Sequence, residues 1–333
     1  MRAVVITRHG DPSVLQVQER PDPSPGPGEV RIDVRACGIN FADVMARQGL
    51  YEDAPDVPCV VGYEVAGVVD AVGEGVDAPA AGDRVFAPTM FGGYASSVVV
   101  RASDAVALPE PLSFAQGAAI PVNYATAWSA LVQFANLQAG ERVLIHAAAG
   151  GVGIAATQIA KRAGAHVVGT SSPQKHDAIR GFGVDEAIDY RREGWEKGVA
   201  QVDVVLDALG GRSFRRSYDL LRPGGRLVAY GASSVISGER RNLLRAAPEA
   251  LPMLRGFNLM SQMQASKAVI GLNMLTLWKD RGTMDRWLAP LQEMLGDGTL
   301  RPVVSDEVPF ERAGDAHRII TERRNVGKVV LTP

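Results

Sequence analysis

The chain has 333 residues, of which 46% are hydrophobic and 22% charged, and its formal net charge at pH 7 is −2. This length allows two domains, and the balanced charge gives no indication of binding to nucleic acid or to an anionic membrane. The two cysteines, Cys37 and Cys59, argue against a disulfide framework, and the longest apolar stretch, Ala268–Trp278, is shorter than the roughly 20 residues of a membrane span. We therefore expect a cytoplasmic protein without a membrane span.

The first part of the chain is a succession of short β-type runs separated by proline and glycine turns. These runs are Ala3–Ile6, Glu29–Ala36, Val65–Val72, Arg84–Pro88 and Ser97–Arg101. They predict an all-β domain over residues 1–121. The tail, Val303–Pro333, is β-like again, so we expect residues 300–333 to complete that domain.

From Pro121 onward, helical periodicity alternates with short apolar strands. The predicted strands are Arg142–His146, Ala165–Gly169, Val202–Asp207, Arg226–Tyr230 and Ala268–Leu272. The predicted helices are Thr126–Ala135, Gly151–Ala163, Lys175–Phe182 and one near Arg286–Leu295. Strands linked by helices of this length indicate βαβ crossovers. The prediction for residues 122–299 is thus an α/β domain with a doubly wound parallel sheet of the Rossmann type.

A long stretch between Ala232 and Ser266 interrupts this alternation. Apolar residues at helical spacing are Leu243, Leu244, Ala247, Leu251 and Leu254, and methionines are Met253, Met260 and Met263. One interpretation is an inserted pair of packed helices. The other is an adaptable wall of a substrate pocket, because methionine repacks easily.

A glycine-rich turn follows the apolar strand that ends before Ala147. Small residues there let the backbone approach a pyrophosphate, and the amides at the start of the next helix face the anion. The residues expected to bind it are Gly150, Gly151, Val152 and Gly153. Ala148 replaces the first glycine of the usual Gly-x-Gly-x-x-Gly pattern, which predicts a slightly different turn.

The residues after the next strand indicate which dinucleotide binds. NAD-selective sites place Asp or Glu here to hold the ribose 2′-hydroxyl. This chain has Ser171, followed by Lys175, which suits a 2′-phosphate and predicts NADPH. Lys175 could instead be a solvated residue of the first helical turn. Tyr190 could close the phosphate site, stack near adenine, or simply cover the edge of the sheet.

Later strands also end in residues that could contact the cofactor, since a dinucleotide lies at the carboxyl ends of such strands. They include Gly210-Gly211 and the Tyr230-Gly231-Ala232 turn, each of which could equally be an ordinary turn. At Leu272-Asn273, backbone groups could fix the carboxamide of the nicotinamide. The predicted set also includes Thr126. We interpret His146, directly before the glycine-rich turn, as a buried residue hydrogen-bonded within the sheet.

These residues, together with Cys37–Asp43, Arg47–Tyr51 and Asn325–Lys328, resemble the medium-chain dehydrogenase/reductase superfamily. The chain is most similar to its zinc-independent quinone oxidoreductases, and within these to the vesicle amine transport protein branch. The resemblance implies a GroES-like β-barrel domain joined to a Rossmann domain, an active site in the cleft between them, NADPH as hydride donor, and a homodimer.

The resemblance also assigns cofactor contacts. They fall on Gly150, Gly151, Val152, Gly153, Ser171, Lys175, Tyr190, Tyr230, Gly231, Ala232, Leu272, Asn273 and Asn325. The chain departs from some relatives at Ala208, where they carry Asn, so that contact is expected to be lost.

No metal is expected. A catalytic zinc needs three Cys, His or carboxylate ligands. At the corresponding positions of zinc-dependent relatives this chain has Asn40, Tyr63 and Val122, none of which is a suitable ligand. Cys37 is expected to pack in the core of the first domain.

Without a metal, hydride transfer to a quinone or an activated alkene needs hydrogen bonds to the carbonyl oxygen on which charge develops. The resemblance places Asn40 and Tyr51 in the cleft, where we expect Asn40 to donate to the carbonyl and Tyr51 to donate or deliver a proton, with Tyr63 as a third candidate. Alternatively, Asn40 only holds its loop and solvent protonates the product. We interpret Glu64 and Asp43 mainly as structural.

The leading functional prediction is an NADPH-dependent quinone or enone reductase acting on a small molecule. An enoyl-thioester reductase is an alternative, but it would need a basic patch for a nucleotide-bearing carrier, and Arg240-Arg241 is the nearest to one. A protein that keeps the NADPH site as a sensor or scaffold is a third possibility.

Overall fold

The computed structural model describes residues 1–236, 238–239 and 256–333. The chain divides into two compact units. The first consists of Met1–Ala125, Gly238–Arg241 and Leu275–Pro333, and the second of Thr126–Ser237 and Asn242–Met274. In the described part of the chain, no helix is long and apolar enough to span a membrane.

Strands and helices of the described residues are numbered in chain order. The strands are β1 (Arg2–Ile6), β2 (Leu15–Glu19), β3 (Glu29–Gly38), β4 (Glu64–Val72), β5 (Arg84–Pro88), β6 (Ser97–Arg101), β7 (Val106–Ala107), β8 (Arg142–Ile145), β9 (His166–Ser171), β10 (Glu186–Asp189), β11 (Val202–Asp207), β12 (Leu221–Ala229), β13 (Ala268–Gly271), β14 (Val304–Pro309) and β15 (Lys328–Thr332). The helices are α1 (Phe41–Arg47), α2 (Phe114–Gly117), α3 (Pro121–Trp128), α4 (Gly151–Arg162), α5 (His176–Gly181), α6 (Arg212–Leu220), α7 (Leu259–Ala265), α8 (Met274–Arg281), α9 (Asp285–Gly296) and α10 (Ala313–Thr321).

The first unit is built around a sheet in the order β14-β15-β3-β4-β5-β7. The long strand β3 pairs with β6 along Glu29–Asp33 and with β15 at Cys37 and Gly38, so one edge serves two partners. Alternate residues of β3, from Val30 to Ala36, are at most 2% exposed and form part of the core, as the two-residue period of a strand requires. The tail therefore pairs with a strand of the first unit.

The second unit contains a parallel sheet whose order, within the described residues, is β10-β9-β8-β11-β12-β13. Counted from β8, this is the 3-2-1-4-5-6 order of a Rossmann fold, which confirms the predicted fold class. The residues of the central strands, such as Val143–Ile145 and Val204–Leu206, are fully buried. Their nearly continuous apolar runs suit a sheet covered on both faces.

Residues 275–299 group with the first unit, although the sequence pattern placed them in the second domain. Asp104 Oδ1 accepts hydrogen bonds from Thr283 Oγ1 at 2.9 Å and from the Met284 amide at 3.0 Å. Arg101 donates to the carbonyl of Gly282. Helical periodicity identifies the buried face of a helix but not the core that it covers, so this boundary could not be derived from it.

Other elements also differ from the sequence predictions. The helix expected over Thr126–Ala135 is α3, which begins at Pro121, followed by a π-helix over Ser129–Phe134. The β-like tail contains the helix α10 between its two strands. Of the Ala232–Ser266 stretch, Leu243, Leu244, Ala247, Leu251, Met253 and Leu254 lie outside the described residues. Met260 and Met263 lie on α7 and are 62% and 64% exposed.

Candidate active site

The turn between β8 and α4 is held by its own backbone. Ala147 adopts a left-handed conformation with φ +52°, and its carbonyl accepts a hydrogen bond from the Gly150 amide at 2.9 Å. The Ala148 amide donates to the carbonyl of Thr170 in β9 at 3.0 Å. The left-handed residue of this turn is thus Ala147, directly before the alanine that replaces the first glycine of the usual pattern.

The start of α4 leaves backbone donors available. The first helical hydrogen bond runs from the Ile154 amide to the Gly150 carbonyl at 2.9 Å, so the amides of Gly151, Val152 and Gly153 have no acceptor within the helix. A Cβ at position 153 would lie 2.7 Å from the Cα of Ala148, so only glycine fits there. These donors at the positive end of a helix dipole can hold a pyrophosphate.

Ser171 and Lys175 lie beside each other at the end of β9. Ser171 is the last residue of the strand, two residues later than its predicted end, and its hydroxyl donates to the Ser172 carbonyl at 3.2 Å. The Lys175 amide donates to the same carbonyl at 2.9 Å, which closes a short 3-10 turn. Asp189 of β10 pairs in register with Ser171, so Tyr190, which follows it, lies at the same end of the sheet.

The turns after β11 and β12 interlock. The Ser233 and Ser234 amides donate to the carbonyls of Ala208 and Leu209 at 3.1 and 2.8 Å. A Cβ at Gly231 would lie 2.7 Å from the Ala208 carbonyl oxygen, so the two backbones meet in direct contact. The predicted residues Tyr230, Gly231 and Ala232 therefore lie at the carboxyl end of the sheet.

The four remaining predicted contacts have different surroundings. Leu272 follows β13, its amide donates to the Ala229 carbonyl at 2.9 Å, and Asn273 comes next. Thr126 is 6% exposed within α3. Asn325 belongs to the first unit, where its Nδ2 donates to the Gly327 carbonyl at 2.7 Å, whereas the other predicted cofactor residues belong to the second.

A buried polar network supports these turns from within the second unit. His146 lies 3.1 Å from Thr170 Oγ1 through Nδ1 and 3.0 Å from Ser217 Oγ through Nε2. The Ser217 hydroxyl donates to Asp207 Oδ2 at 2.7 Å, so His146 donates from Nε2 and accepts from the Thr170 hydroxyl. Burial lowers the pKa of His146 despite the nearby Asp207, which keeps the ring neutral. The interpretation of His146 as a hydrogen-bonded residue of the sheet is confirmed.

Asp207 is a member of this network that the sequence analysis did not identify. Its Oδ1 accepts from the Leu209 and Gly210 amides at 2.7 and 3.2 Å, and its Oδ2 accepts from the Ser213 hydroxyl at 2.7 Å. A carboxylate with all these donors holds the turn that packs against Gly231. An acidic residue directly after the apolar run Val204–Leu206 was the available signal.

In the first unit, Asn40 belongs to a cluster of buried charges. Its Oδ1 accepts from Lys328 Nζ at 2.7 Å, and its Nδ2 donates to Glu64 Oε1 at 3.0 Å. Lys328 and Glu64 also form an ion pair, with side chains 3% and 0% exposed. Glu64 Oε2 accepts from the Val122 amide at 2.7 Å. The interpretation of Glu64 as mainly structural did not foresee its contacts with Asn40 and Lys328.

Tyr51 and Tyr63 lie next to each other, with ring centroids 6.3 Å apart in an edge-to-face arrangement. Tyr63 also packs on Phe91, at 5.1 Å, and its buried hydroxyl makes no hydrogen bond of good geometry. Burial is the main cause that raises the pKa of both tyrosines, and nearby carboxylates add to it. Both hydroxyls are therefore protonated, and able to donate, throughout the physiological pH range.

Asp43 connects this region to a second buried network. Its carboxylate accepts from the Asn40 amide at 2.7 Å, the Gly62 amide at 3.1 Å and the Tyr94 hydroxyl at 3.0 Å. Burial raises the pKa of Asp43 to about 7, although these donors oppose the shift. Tyr94 in turn lies 3.3 Å from His317 Nε2, and burial lowers the pKa of His317 to about 3.

The donor set around Asn40 does not fit zinc. The Asn40 oxygen already accepts from an ammonium, Val122 has an apolar side chain, and the raised pKa of Tyr63 disfavours the phenolate that a metal would need. Within the described ranges, no three His, Cys, Asp or Glu side chains lie close enough to hold a metal ion. Cys37, expected in the core, is fully buried there and its Sγ lies 3.8 Å from the Ala95 carbonyl.

Comparison with known proteins agrees with this architecture. Residues 26–110 match the alcohol dehydrogenase GroES-like domain family, and residues 182–331 match the zinc-binding dehydrogenase family. The chain is 39% identical to the human synaptic vesicle membrane protein VAT-1 homolog, over 100% of this chain and 86% of the human one.

Two solved structures are similar over the whole chain. The Escherichia coli quinone oxidoreductase complexed with NADPH has a TM-score of 0.86 and 32% identity, covering 100% of both chains. The CurK enoyl reductase has a TM-score of 0.84 and 28% identity, covering 99% of this chain and 98% of that one.

Proposed function

This chain belongs to the medium-chain dehydrogenase/reductase superfamily, and from that premise we propose that it is an NADPH-dependent, zinc-independent reductase of quinones or α,β-unsaturated carbonyl compounds. Its similarity to a quinone oxidoreductase and to an enoyl reductase supports a reductase in general. The choice of cofactor, of acceptor and of a metal-free mechanism is our proposal.

The observation that carries the proposal is the constellation at the carboxyl ends of β8 and β9. The amides of Gly151, Val152 and Gly153 can hold the pyrophosphate, and Ser171 with Lys175 can hold the 2′-phosphate, where a carboxylate would repel it. Tyr190, Tyr230–Ala232, Leu272, Asn273, Thr126 and Asn325 complete the proposed cofactor set. The similarity to a quinone oxidoreductase complexed with NADPH supports this choice of cofactor.

NADPH, when bound, supplies the hydride. The task of the protein is to hold the acceptor and to stabilise the charge that develops on its carbonyl oxygen. We assign that task to Asn40, whose Nδ2 keeps one hydrogen free after its bond to Glu64, and to the protonated hydroxyl of Tyr51. Tyr63 is a less direct candidate because its hydroxyl is buried.

The proposal is tested by steady-state oxidation of NADPH with benzoquinones, naphthoquinones and short enals. We expect turnover with at least one of these acceptors, Asn40→Ala to lower kcat/KM about 100-fold, and Tyr51→Phe about tenfold, with the Kd for NADPH unchanged in both. The exposed Gln16→Ala serves as the control. Unchanged kcat/KM in both variants would contradict the roles given to Asn40 and Tyr51.

Reduction of an enoyl thioester is the second candidate, because the chain resembles an enoyl reductase over nearly its whole length. Arg240-Arg241, the nearest sequence feature to a basic patch, lies outside the described residues. Crotonyl-coenzyme A and its N-acetylcysteamine analogue, assayed beside the quinones, separate the two candidates. Tight NADPH binding without turnover of any acceptor would favour a sensor or scaffold.

We further propose a homodimer that pairs the Rossmann sheets. The strand β13 is an edge of the described sheet, and the neighbouring α7 exposes Leu259, Met260 and Met263. An unpaired strand edge next to an apolar surface is a site where chains associate. Light scattering coupled to size-exclusion chromatography tests this. A cytoplasmic location stays a prediction.

A further inference from the structure

Lys328 occupies an unusual place for a lysine. It is the first residue of β15, followed by the apolar Val329, Val330 and Leu331, and its side chain is 3% exposed. Its amide donates to the Val303 carbonyl at 2.8 Å, directly after Gly327, which has φ +96°. A side chain at position 327 would overlap the Val303 carbonyl, so the backbone leading into Lys328 is closely defined.

Two charged partners determine how the Asn40 amide is oriented. An ammonium can only donate, so the Asn40 atom that faces Lys328 must be Oδ1. A carboxylate can only accept, so the atom that faces Glu64 must be Nδ2. Lys328 and Glu64 thus prevent the amide from flipping. The second hydrogen on Nδ2 is left over and can be donated to a ligand.

Stability alone does not explain this cluster. A buried ion pair adds little net stability compared with well-packed apolar groups, whereas loss of one partner leaves an uncompensated buried charge. Lys328 and Glu64 both lose their hydration on burial, and both contact Asn40. The Glu64 carboxylate also accepts a hydrogen bond from the Val122 amide. The geometry of the cluster is therefore best explained by what it does to Asn40.

We propose that Lys328 is a positioning residue for the reduction reaction: together with Glu64 it holds the Asn40 amide with one N–H directed to the acceptor's carbonyl oxygen, and its positive charge polarises that amide. This inference rests on the proposed function. Hydrogen bonds linked in a chain strengthen one another in a low-dielectric interior, so the charge on Lys328 makes Nδ2–H a better donor. Lys328 acts through Asn40 and does not contact the acceptor itself.

The test is a double-mutant cycle between positions 328 and 40, measured with the best quinone or enone acceptor. We expect Lys328→Met to lower kcat at least tenfold without changing the Kd for NADPH. In the Asn40→Ala background, the same substitution should cause less than a twofold further loss, because the group that it positions is already absent. Lys328→Arg, which keeps a buried donor and charge, should recover part of the loss.

A second variant separates positioning from folding. Lys328→Met/Glu64→Gln removes both charges at once and is expected to fold, with a melting temperature close to that of the wild type, but to retain the kcat defect. Wild-type kcat in this double variant would overturn the proposal, as would equal losses from Lys328→Met with and without Asn40. If the wild-type protein reduces no acceptor, the proposed function fails as well. Wild-type turnover with an unaffected Lys328→Met overturns only the positioning role.

Discussion

The two candidate sites of this protein are built from different chemical groups. In the second unit, the candidate phosphate-binding turn is made of backbone: amides without an acceptor in the helix, a left-handed alanine and a glycine that admits no side chain. In the first unit, Asn40 is held by charged side chains that are buried and fully paired. The turn is thus sensitive to the volume of its residues, whereas the Asn40 cluster is sensitive to their charge.

The strongest test of this contrast is a single methyl group in the backbone-built site. The carbon added by Gly153→Ala overlaps Ala147 and Ala148, so the binding free energy of NADPH and of NADH should become less favourable by roughly 1–3 kcal/mol. The Kd of both dinucleotides is then expected to rise by about 5- to 150-fold. Gly296→Ala, at a helical glycine with open space around it, is the matched control. Fluorescence titration measures both. Normal NADPH affinity in Gly153→Ala would show that the turn tolerates added volume.

In the second unit, the side chains of Ser171 and Lys175 should determine the choice of dinucleotide. Lys175→Ala is expected to weaken NADPH about tenfold and to leave NADH unchanged, because only the 2′-phosphate loses a charge-assisted hydrogen bond. Ser171→Asp should go further and favour NADH. The exposed Lys197→Ala is the control. Equal binding of NADH and NADPH by the wild-type protein would refute the role given to both residues.

The buried network of the first unit should be detected through the pH dependence of stability. The pKa of His317 is about 3 in the folded protein and near 6.5 when exposed, so below pH 6.5 the unfolded chain binds a proton that the folded one does not. The contribution of His317 to folding stability therefore falls as the pH drops from 6.5 toward 3, by at most about 1.4 kcal/mol per pH unit.

His317→Gln, which keeps a donor and an acceptor, should make that fall less steep. Asp43, with its pKa raised to about 7, acts in the opposite direction as the pH changes between about 4 and 7, and it is present in both proteins. The difference between their unfolding free energies at each pH therefore isolates His317. Parallel pH profiles for wild type and variant would contradict the expectation.

The contrast between the sites also explains what could be predicted from the sequence. The turn at Gly150–Gly153 is one continuous piece of chain, and so is the Ser171–Lys175 segment. The local sequence of each could therefore predict its local structure, and the structure forms both. The three members of the Asn40 cluster come together only through the fold: Glu64 lies 24 positions and Lys328 288 positions from Asn40. A lysine beginning an apolar strand was the one local signal.

The Asp207 network was missed for a similar reason. His146, Thr170, Ser217 and Asp207 come from the turn after β8, two strands and a helix, and each alone resembles an ordinary polar residue. Likewise, the periodicity of residues 275–299 predicted a helix at about the right place but assigned it to the other unit. Patterns along the chain identify elements, whereas partners across the fold depend on topology.

The return of β15 to β3 has a consequence for how the protein forms during synthesis. The strand β3 pairs with β15 at Cys37 and Gly38, and Asn40 directly after it takes its ammonium partner from β15. The two strands lie almost 300 residues apart in the sequence. The ribosome therefore synthesises the strands β8–β13 of the Rossmann sheet after β3 and before β15. The second unit can therefore fold before β15, the last strand of the first unit, has been synthesised. Glu64 has no Lys328 to pair with until β15 emerges from the ribosome. A stalled or truncated chain would contain a folded second unit and an incomplete first unit.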